Sequence, residues 1–160
     1  MNSAFDLIDT QHEEFIHDLS FDFFGQRIAT CSSDQQIKIY SKNEKGKWVI
    51  TAAFQAHDAT IWKVKWAYPD FGSIIASCSA DKSVIIWEEK KFTPNKSGPS
   101  MLKTEDRESA WYLKAKLIES KESIEDIKFA PKHMGLTLAA ASADGIIRIY
   151  EAPDIMNLQV

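Results

Sequence analysis

The chain lacks any apolar run near the ~20 residues that a membrane-crossing helix requires, and it lacks a glycine-rich phosphate loop and a paired-carboxylate motif. Its first fourteen residues, Met1 to Glu14, are acidic rather than basic, which fits neither a secretory signal nor a transit peptide. There are two cysteines, Cys31 and Cys78, with no C-x-x-C and no H-x-x-x-H spacing to join them to His12, His17, His57 or His133 as a metal site. Small buried thiols in a reducing compartment, cytosol or nucleus, are the expectation. Basic stripes are missing too. The net charge is −4, and the cluster Lys42, Lys45, Lys47 is interrupted by Glu44 in an expected loop. Most aromatics fall at strand positions expected to face a core, so base stacking has no platform and direct nucleic-acid binding is not expected. No cofactor, metal or enzyme chemistry is expected from these absences.

What the chain does have is a phrase used three times: Ile28-Ala-Thr-Cys-Ser-Ser-Asp34, Ile75-Ala-Ser-Cys-Ser-Ala-Asp81 and Leu138-Ala-Ala-Ala-Ser-Ala-Asp144. Each copy leads into an alternating apolar strand that closes on an aromatic, Tyr40, Trp87 or Tyr150. Upstream, Leu19, Val64 and Ile127 hold equivalent places, each followed two residues later by Phe21, Trp66 or Phe129. Trp48 precedes His57 by nine residues, as Trp111 precedes Ser120. Strict alternation marks strands with one buried and one wetter face. The unit therefore reads as four strands joined by turns. Asp34 and Asp81 lie 47 residues apart, near the ~40–45 residues of a propeller blade of the WD type. The next interval, Asp81 to Asp144, is 63 residues, with the excess assigned to a solvated loop over 88–110.

The expected fold is all-β: a partial WD-repeat β-propeller of about three four-stranded blades. Residues 1–56 supply an N-terminal strand and the first blade, 57–119 the second with its inserted loop, and 120–160 an incomplete third. The repeated Asp is expected in a tight turn, accepting bonds from backbone N–H groups. Ser77 lies inside a strand phrase and not on a strained nucleophile elbow. His57, Ser77 and Asp81 are therefore read as structure, although they are the residue types of a hydrolase triad. Closed propellers take about four to eight blades, so three leave open edges that recruit other strands. The chain is expected to be the N-terminal part of something longer, a truncated form, or a chain completed by a partner.

The repeat resembles WD-repeat proteins, in which the Asp joins a buried network with a His, a Ser or Thr, and a Trp. On that resemblance the second blade carries the full set, His57, Ser77, Asp81 and Trp87. The first has His12, Thr30 and Asp34 but closes on Tyr40. The third keeps Asp144 with Ser120 and Ala140 in the other places, and is expected to rely on apolar packing. Ala29-Thr-Cys-Ser-Ser-Asp-Gln35, Ile86-Trp-Glu-Glu89, Phe129-Ala-Pro-Lys-His-Met-Gly-Leu136, Ser142-Ala-Asp-Gly-Ile146, Arg148-Ile-Tyr-Glu-Ala-Pro-Asp154 and Met156-Asn-Leu158 point further. They resemble the propeller nucleoporins of the Y-shaped outer-ring complex of the nuclear pore, relatives of the COPII coat propeller.

That resemblance implies the N-terminal half of an open six-bladed propeller. It also implies a non-enzymatic scaffold that binds a helical-solenoid nucleoporin, whose N-terminal strands complete the ring, and other outer-ring nucleoporins. Membership of a GATOR/SEA-type complex that regulates TOR signalling is implied as well. So are locations at the nuclear envelope, the lysosomal or vacuolar membrane surface and the kinetochore. The partner-facing flank is expected on the first blade, built on Ser3-to-Asp9 and Phe15-to-Phe21, with Phe15, Ile16 and Leu19 as contacts. Alternatives are a peptide or phosphopeptide adaptor using Lys38, Lys63 or Arg148, and a truncated form without function of its own.

Overall fold

The computed structural model describes residues 6–91 and 109–151. Within these, eleven strands form three antiparallel sheets and no α-helix occurs. The first sheet joins β1 (Ile16–Phe21), β2 (Arg27–Ser32), β3 (Gln36–Lys42) and β4 (Trp48–Gln55) in sequence order. The second joins β5 (Ile61–Trp66), β6 (Ile74–Ser79), β7 (Val84–Lys91) and β8 (Ser109–Leu117). The third holds β9 (Ile124–Phe129), β10 (Leu138–Ser142) and β11 (Ile147–Tyr150). Within each sheet neighbours in sequence are neighbours in space, joined by short connections except between β7 and β8, which residues 92–108 separate.

Local detail repeats with the sheets. Each innermost strand shifts register at one place against its partner, between Ile16 and Asp18, between Ile61 and Lys63, and opposite Ala141/Ser142. After β5 and β9 the chain makes one 3₁₀ turn, Pro69–Phe71 or Lys132–Met134. Gly72 and Gly135 end these turns at φ of 100° and 79°, with their N–H groups returned to Pro69 O and Lys132 O. A side chain at such a φ is strained, which is why glycine recurs there.

The sheets pack face to face in two cores. Ala29, Cys31, Ile37 and Ile39 of the first sheet meet Ile61, Val64, Ile75, Ile85 and Trp87 of the second. On its other face the second sheet presents Ala76, Cys78, Val84 and Ile86 to Ile124, Ile127, Leu138, Ala140 and Tyr150 of the third. The second sheet thus turns one face to the first sheet and the other to the third, so all six residues of β6 are buried and neither of its faces is wet. Ile61, Val64, Ile124 and Ile127 are 0–1% exposed, whereas Ile16 and Leu19 at the same repeat positions are 43% and 54% exposed. At the far end, Ile147 and Ile149 are 70% and 58% exposed, whereas their equivalents Ile37, Ile39, Val84 and Ile86 are 0–1%. The described sheets form an unclosed arc with two apolar flanks.

Two expectations need correction. The strands run into the expected loop 88–110: β7 reaches Lys91 and β8 begins at Ser109, because Lys90 and Lys91 pair with Ala110 and Ser109; residues 92–108 lie outside the described part. Of the Ser3-to-Asp9 segment, residues 6–9 form no strand and the earlier ones lie outside the described part. Most of the described aromatics are buried or pack against a core, among them Tyr40, Phe54, Trp62, Trp66, Trp87, Trp111, Phe129 and Tyr150, while Phe15, Phe21, Phe23 and Phe24 are exposed. The expected outer strand after Tyr150 falls on 152–160, also outside the described residues.

Candidate functional site

Three tight turns carry the repeated aspartate, and each is built identically. Asp34, Asp81 and Asp144 accept at Oδ1 from the N–H groups of Gln36, Ser83 and Ile146, all at 3.0 Å. Their Oδ2 atoms accept from Glu13 N–H, Asp58 N–H and Lys121 N–H at 3.1, 3.1 and 3.2 Å. A serine column completes the turn. Ser32, Ser79 and Ser142 accept from the N–H of the Asp two residues on, while their hydroxyls donate to Glu14 O, Ala59 O and Glu122 O. Sequence reasoning passed over these serines, although their constant place two residues before each Asp was visible. The residue after each Asp sits at positive φ: Gln35 at 67°, Lys82 at 72°, Gly145 at 80°.

In the second sheet the structure brings His57, Ser77, Asp81 and Trp87 into one chain of bonds. The carboxylate facing Nδ1 fixes the proton there, so His57 donates to Asp81 Oδ2 at 2.8 Å. Nε2 then accepts from the Ser77 hydroxyl at 2.8 Å, and Ser77 Oγ accepts from the Trp87 indole N–H at 3.2 Å. Ser83 adds a 2.6 Å bond to Asp81 Oδ1. Burial by itself would raise the Asp81 carboxyl, but the bonds from His57 and Ser83 outweigh it and hold it well below the usual carboxylate range. Serine, histidine and aspartate are at triad distances here, so distance alone does not separate catalysis from structure. Accessibility and occupancy do. Ser77 is 0% exposed and its oxygen is already taken by Trp87, leaving a substrate no path to it.

The first sheet repeats the arrangement with substitutions. His12 Nδ1 donates to Asp34 at 2.7 Å and Nε2 accepts from Thr30 at 2.8 Å. Burial pushes the Asp34 carboxyl up, but the His12 bond pulls it below its ordinary value. Tyr40, in the tryptophan place, donates instead to Thr10 O at 2.9 Å and so ties the entering chain to β3.

The third sheet differs from expectation. Its lock is an ion pair and not apolar packing alone: Arg148 donates from Nη1 to Asp144 Oδ1 at 3.2 Å and from Nη2 to Oδ2 at 2.8 Å. The Arg148 guanidinium holds the Asp144 carboxyl well below its usual range against the opposing effect of burial. Ser120, in the histidine place, is buried with no hydrogen-bond partner for its Oγ among the described residues. Arg148 occupies the repeat position of Lys38 and Ile85, both buried. A charge placed two residues before the closing aromatic was the available signal.

Of the cations considered for a peptide reader, Lys38 and Arg148 are already engaged, and Lys63 is half-buried on β5. Lys38 is buried and its ammonium donates to Gln11 O, and Arg148 is committed to Asp144. The thiols are inert: both are buried, with Cys31 pushed up to about 12 chiefly by burial and Cys78 raised likewise. No group of three or more His, Cys, Asp or Glu placed to hold a metal occurs among the described residues. There is likewise no helix long and apolar enough to cross a membrane.

The expected contacts Phe15, Ile16 and Leu19 are all exposed, as is Phe21; Ile16, Leu19 and Phe21 lie on β1 and Phe15 just before it. At the covered junction the same strand position is filled by polar as well as apolar contacts. Asp18 accepts from Val64 N–H at 3.2 Å and pairs with Lys65 at 2.6 Å. Ser20 O accepts from the Trp66 indole at 3.0 Å. Arg27 reaches Glu89 at 2.6 Å and lies over the Trp66 ring at 4.4 Å from its centroid.

Stacked antiparallel sheets of four, four and three described strands that repeat one Asp turn define an open propeller arc of WD type. The WD domain, G-beta repeat family matches residues 5–41 and 46–88, and the chain belongs to this family. Among curated proteins it is similar to Nucleoporin SEH1 of Homo sapiens and of Bos taurus, 50% identical over 151 residues in each, and to Nucleoporin SEH1 of Danio rerio at 46%. The match takes in 94% of this chain and 40% of each relative, so the chain spans about two-fifths of their length.

Proposed function

We propose that the chain is a non-enzymatic scaffold segment of a nucleoporin, and that its first sheet docks strands supplied by a partner polypeptide. The observation that carries this is the exposure of Ile16 and Leu19, whose repeat equivalents Ile61, Val64, Ile124 and Ile127 are all covered by a preceding sheet. β1 is also an edge strand of its sheet, open to β-augmentation with alternate side chains seated on an apolar strip. The similarity to nucleoporins supports a partner among outer-ring nucleoporins, a helical-solenoid protein whose N-terminal strands extend the propeller. The role that follows is in pore assembly and in nucleocytoplasmic transport of protein and mRNA, at the nuclear envelope. Participation in a GATOR/SEA-type complex acting on TORC1, at the lysosomal or vacuolar surface, belongs to the same proposal, as does a kinetochore location in cell division.

The test is co-purification of the chain with the N-terminal strands of the helical-solenoid partner. Ile16→Glu with Leu19→Glu is expected to abolish recovery without lowering the thermal midpoint of the chain. Undiminished recovery by that variant overturns the docking surface.

A further inference from the structure

The first sheet is polarised along its strands. At one end the turn between β1 and β2 carries Phe23 and Phe24, each 66% exposed and set edge to face with ring centroids 5.3 Å apart. At the same end the hairpin between β3 and β4 carries Lys42, Lys45 and Lys47, all exposed, with Glu44 the one acidic residue among 41–48. Strands lie about 4.8 Å apart, so the two turns stand about 10 Å from one another. Glu13, Glu14 and Asp34 stand at the other end, where the chain enters β1 and β2 turns into β3. We infer that the phenylalanine and lysine end of this sheet docks on an anionic lipid bilayer. Phe23 and Phe24 enter the headgroup boundary, the three lysines lie on the anionic headgroups, and the carboxylates of the far end are held away from them.

Both turns are fixed by their own backbone. Asp22 Oδ1 accepts from Gln26 N–H at 2.8 Å and Arg27 N–H at 2.9 Å. Asn43 Oδ1 accepts from Lys45 N–H at 3.0 Å and Lys47 N–H at 2.9 Å. The Asp22 side chain is thereby turned inward, 9% exposed beside Arg27, and puts little negative charge on the surface. Lys42 lies over the Trp48 ring at 5.2 Å from its centroid, and Trp48 meets Phe21 at 6.2 Å, so aromatic rings join the lysine hairpin to the end of β1. Tryptophan is a side chain that settles at membrane interfaces. Exposure at the tip of this turn is not set by a missing neighbour. Counting from the aligned Phe21 and Trp66, Pro69 holds the place of Phe24 and is exposed with a sheet on either side. The cleft beside the phenylalanines, about 160 Å³ between Phe24, Trp66, Pro69 and Ser73, is the size of a single side chain and too small to seat a peptide. Two apolar side chains standing out from a rigid turn suit a fluid apolar phase instead. Together with the lysines they supply the two signals, apolar and electrostatic, that stable membrane attachment takes. This inference does not rest on the partner proposed above.

The test is flotation of the 160-residue chain with vesicles of phosphatidylcholine containing about one-third phosphatidylserine. Co-flotation is expected, and it should fall by more than about tenfold on phosphatidylcholine alone, since each lysine near an anionic surface strengthens binding about fivefold. No flotation with the mixed vesicles overturns the proposal. Phe23→Ser with Phe24→Ser should weaken binding by about tenfold or more, and Lys45→Glu with Lys47→Glu likewise. All four side chains are exposed, so far-UV circular dichroism should be unchanged. If the serine variant floats undiminished, and the chain binds polyglutamate as tightly as vesicles, the end recognises a polyanion and the lipid assignment is overturned. Ile16→Glu with Leu19→Glu should float like the unsubstituted chain. Loss of flotation there, and not at the phenylalanine turn, puts the lipid on the open flank and overturns the inference. That flank variant loses the partner strands proposed above while the serine variant keeps them, so the two proposals fail separately.

Discussion

The second sheet and its two neighbours are built on one pattern and live in different surroundings. Its inner strand is covered by the first sheet and its rear face by the third, so Val64 and Ile86 are both 0% exposed. The first sheet has a covered rear and an open front; the third has the reverse. The middle sheet also has the fullest polar network, from Trp87 through Ser77 and His57 to Asp81. Identical sequence positions thus carry different energetic weight according to whether a neighbour is present. A repeat stabilises mainly through the face it shares.

The comparison is tested most severely by one substitution made at two equivalent sites in the monomer. Val64→Asp buries an unpaired charge between two sheets and should cost about 4 kcal/mol or more, enough to abolish the folded signal in circular dichroism. Leu19→Asp, at the same place in β1, should stay within about 0.5 kcal/mol of the unsubstituted chain. A pair of truncations follows in size. Ile86→Ala should lower stability by about 2–5 kcal/mol in urea titration, through lost burial and the cavity left behind. Ile149→Ala should change it by less than about 0.5 kcal/mol.

The polar networks come next. His57→Ala should cost about 2–3 kcal/mol, since it leaves Asp81 and Ser77 buried without their shared partner. The Asp81 and Asp144 carboxyls both lie below the usual range when folded. Their contribution is therefore fully present above the ordinary carboxylate value of about 4 and drains away as pH falls below it. Acid titration should show Arg148→Met unfolding at higher pH than the unsubstituted chain. At the small end, Gln35→Gly should gain about 0.5 kcal/mol by relieving a positive φ that Gly145 already meets in the third turn. No gain in thermal midpoint would mean that the turn is not strained.

The fold was legible because a phrase repeated at constant offsets leaves little freedom in strand placement. Leu19, Val64 and Ile127 could be aligned before any coordinates, and the Asp turns with them. Exposure was not legible in the same way. Whether Leu19 or Val64 is buried depends on a neighbouring sheet, which the residue's own alternation cannot report. Phe21 is exposed where Trp66, at the same repeat position, packs against the core. The Arg148–Asp144 pair was missed for a related reason: Ala140 and Ser120 mark the loss of one network, while the replacement comes from a position that is apolar or capped elsewhere. The extension of β7 and β8 beyond the expected loop edge follows from pairing of Lys90 and Lys91, polar residues that composition assigns to a loop.

The most direct check is hydroxyl-radical footprinting of the chain, diluted until light scattering gives a monomer. Leu19 and Phe21 should react well above Val64 and Trp66, and Ile147 and Ile149 well above Val84 and Ile86. Equal protection at all these equivalent positions would contradict an arc of three sheets with uncovered ends.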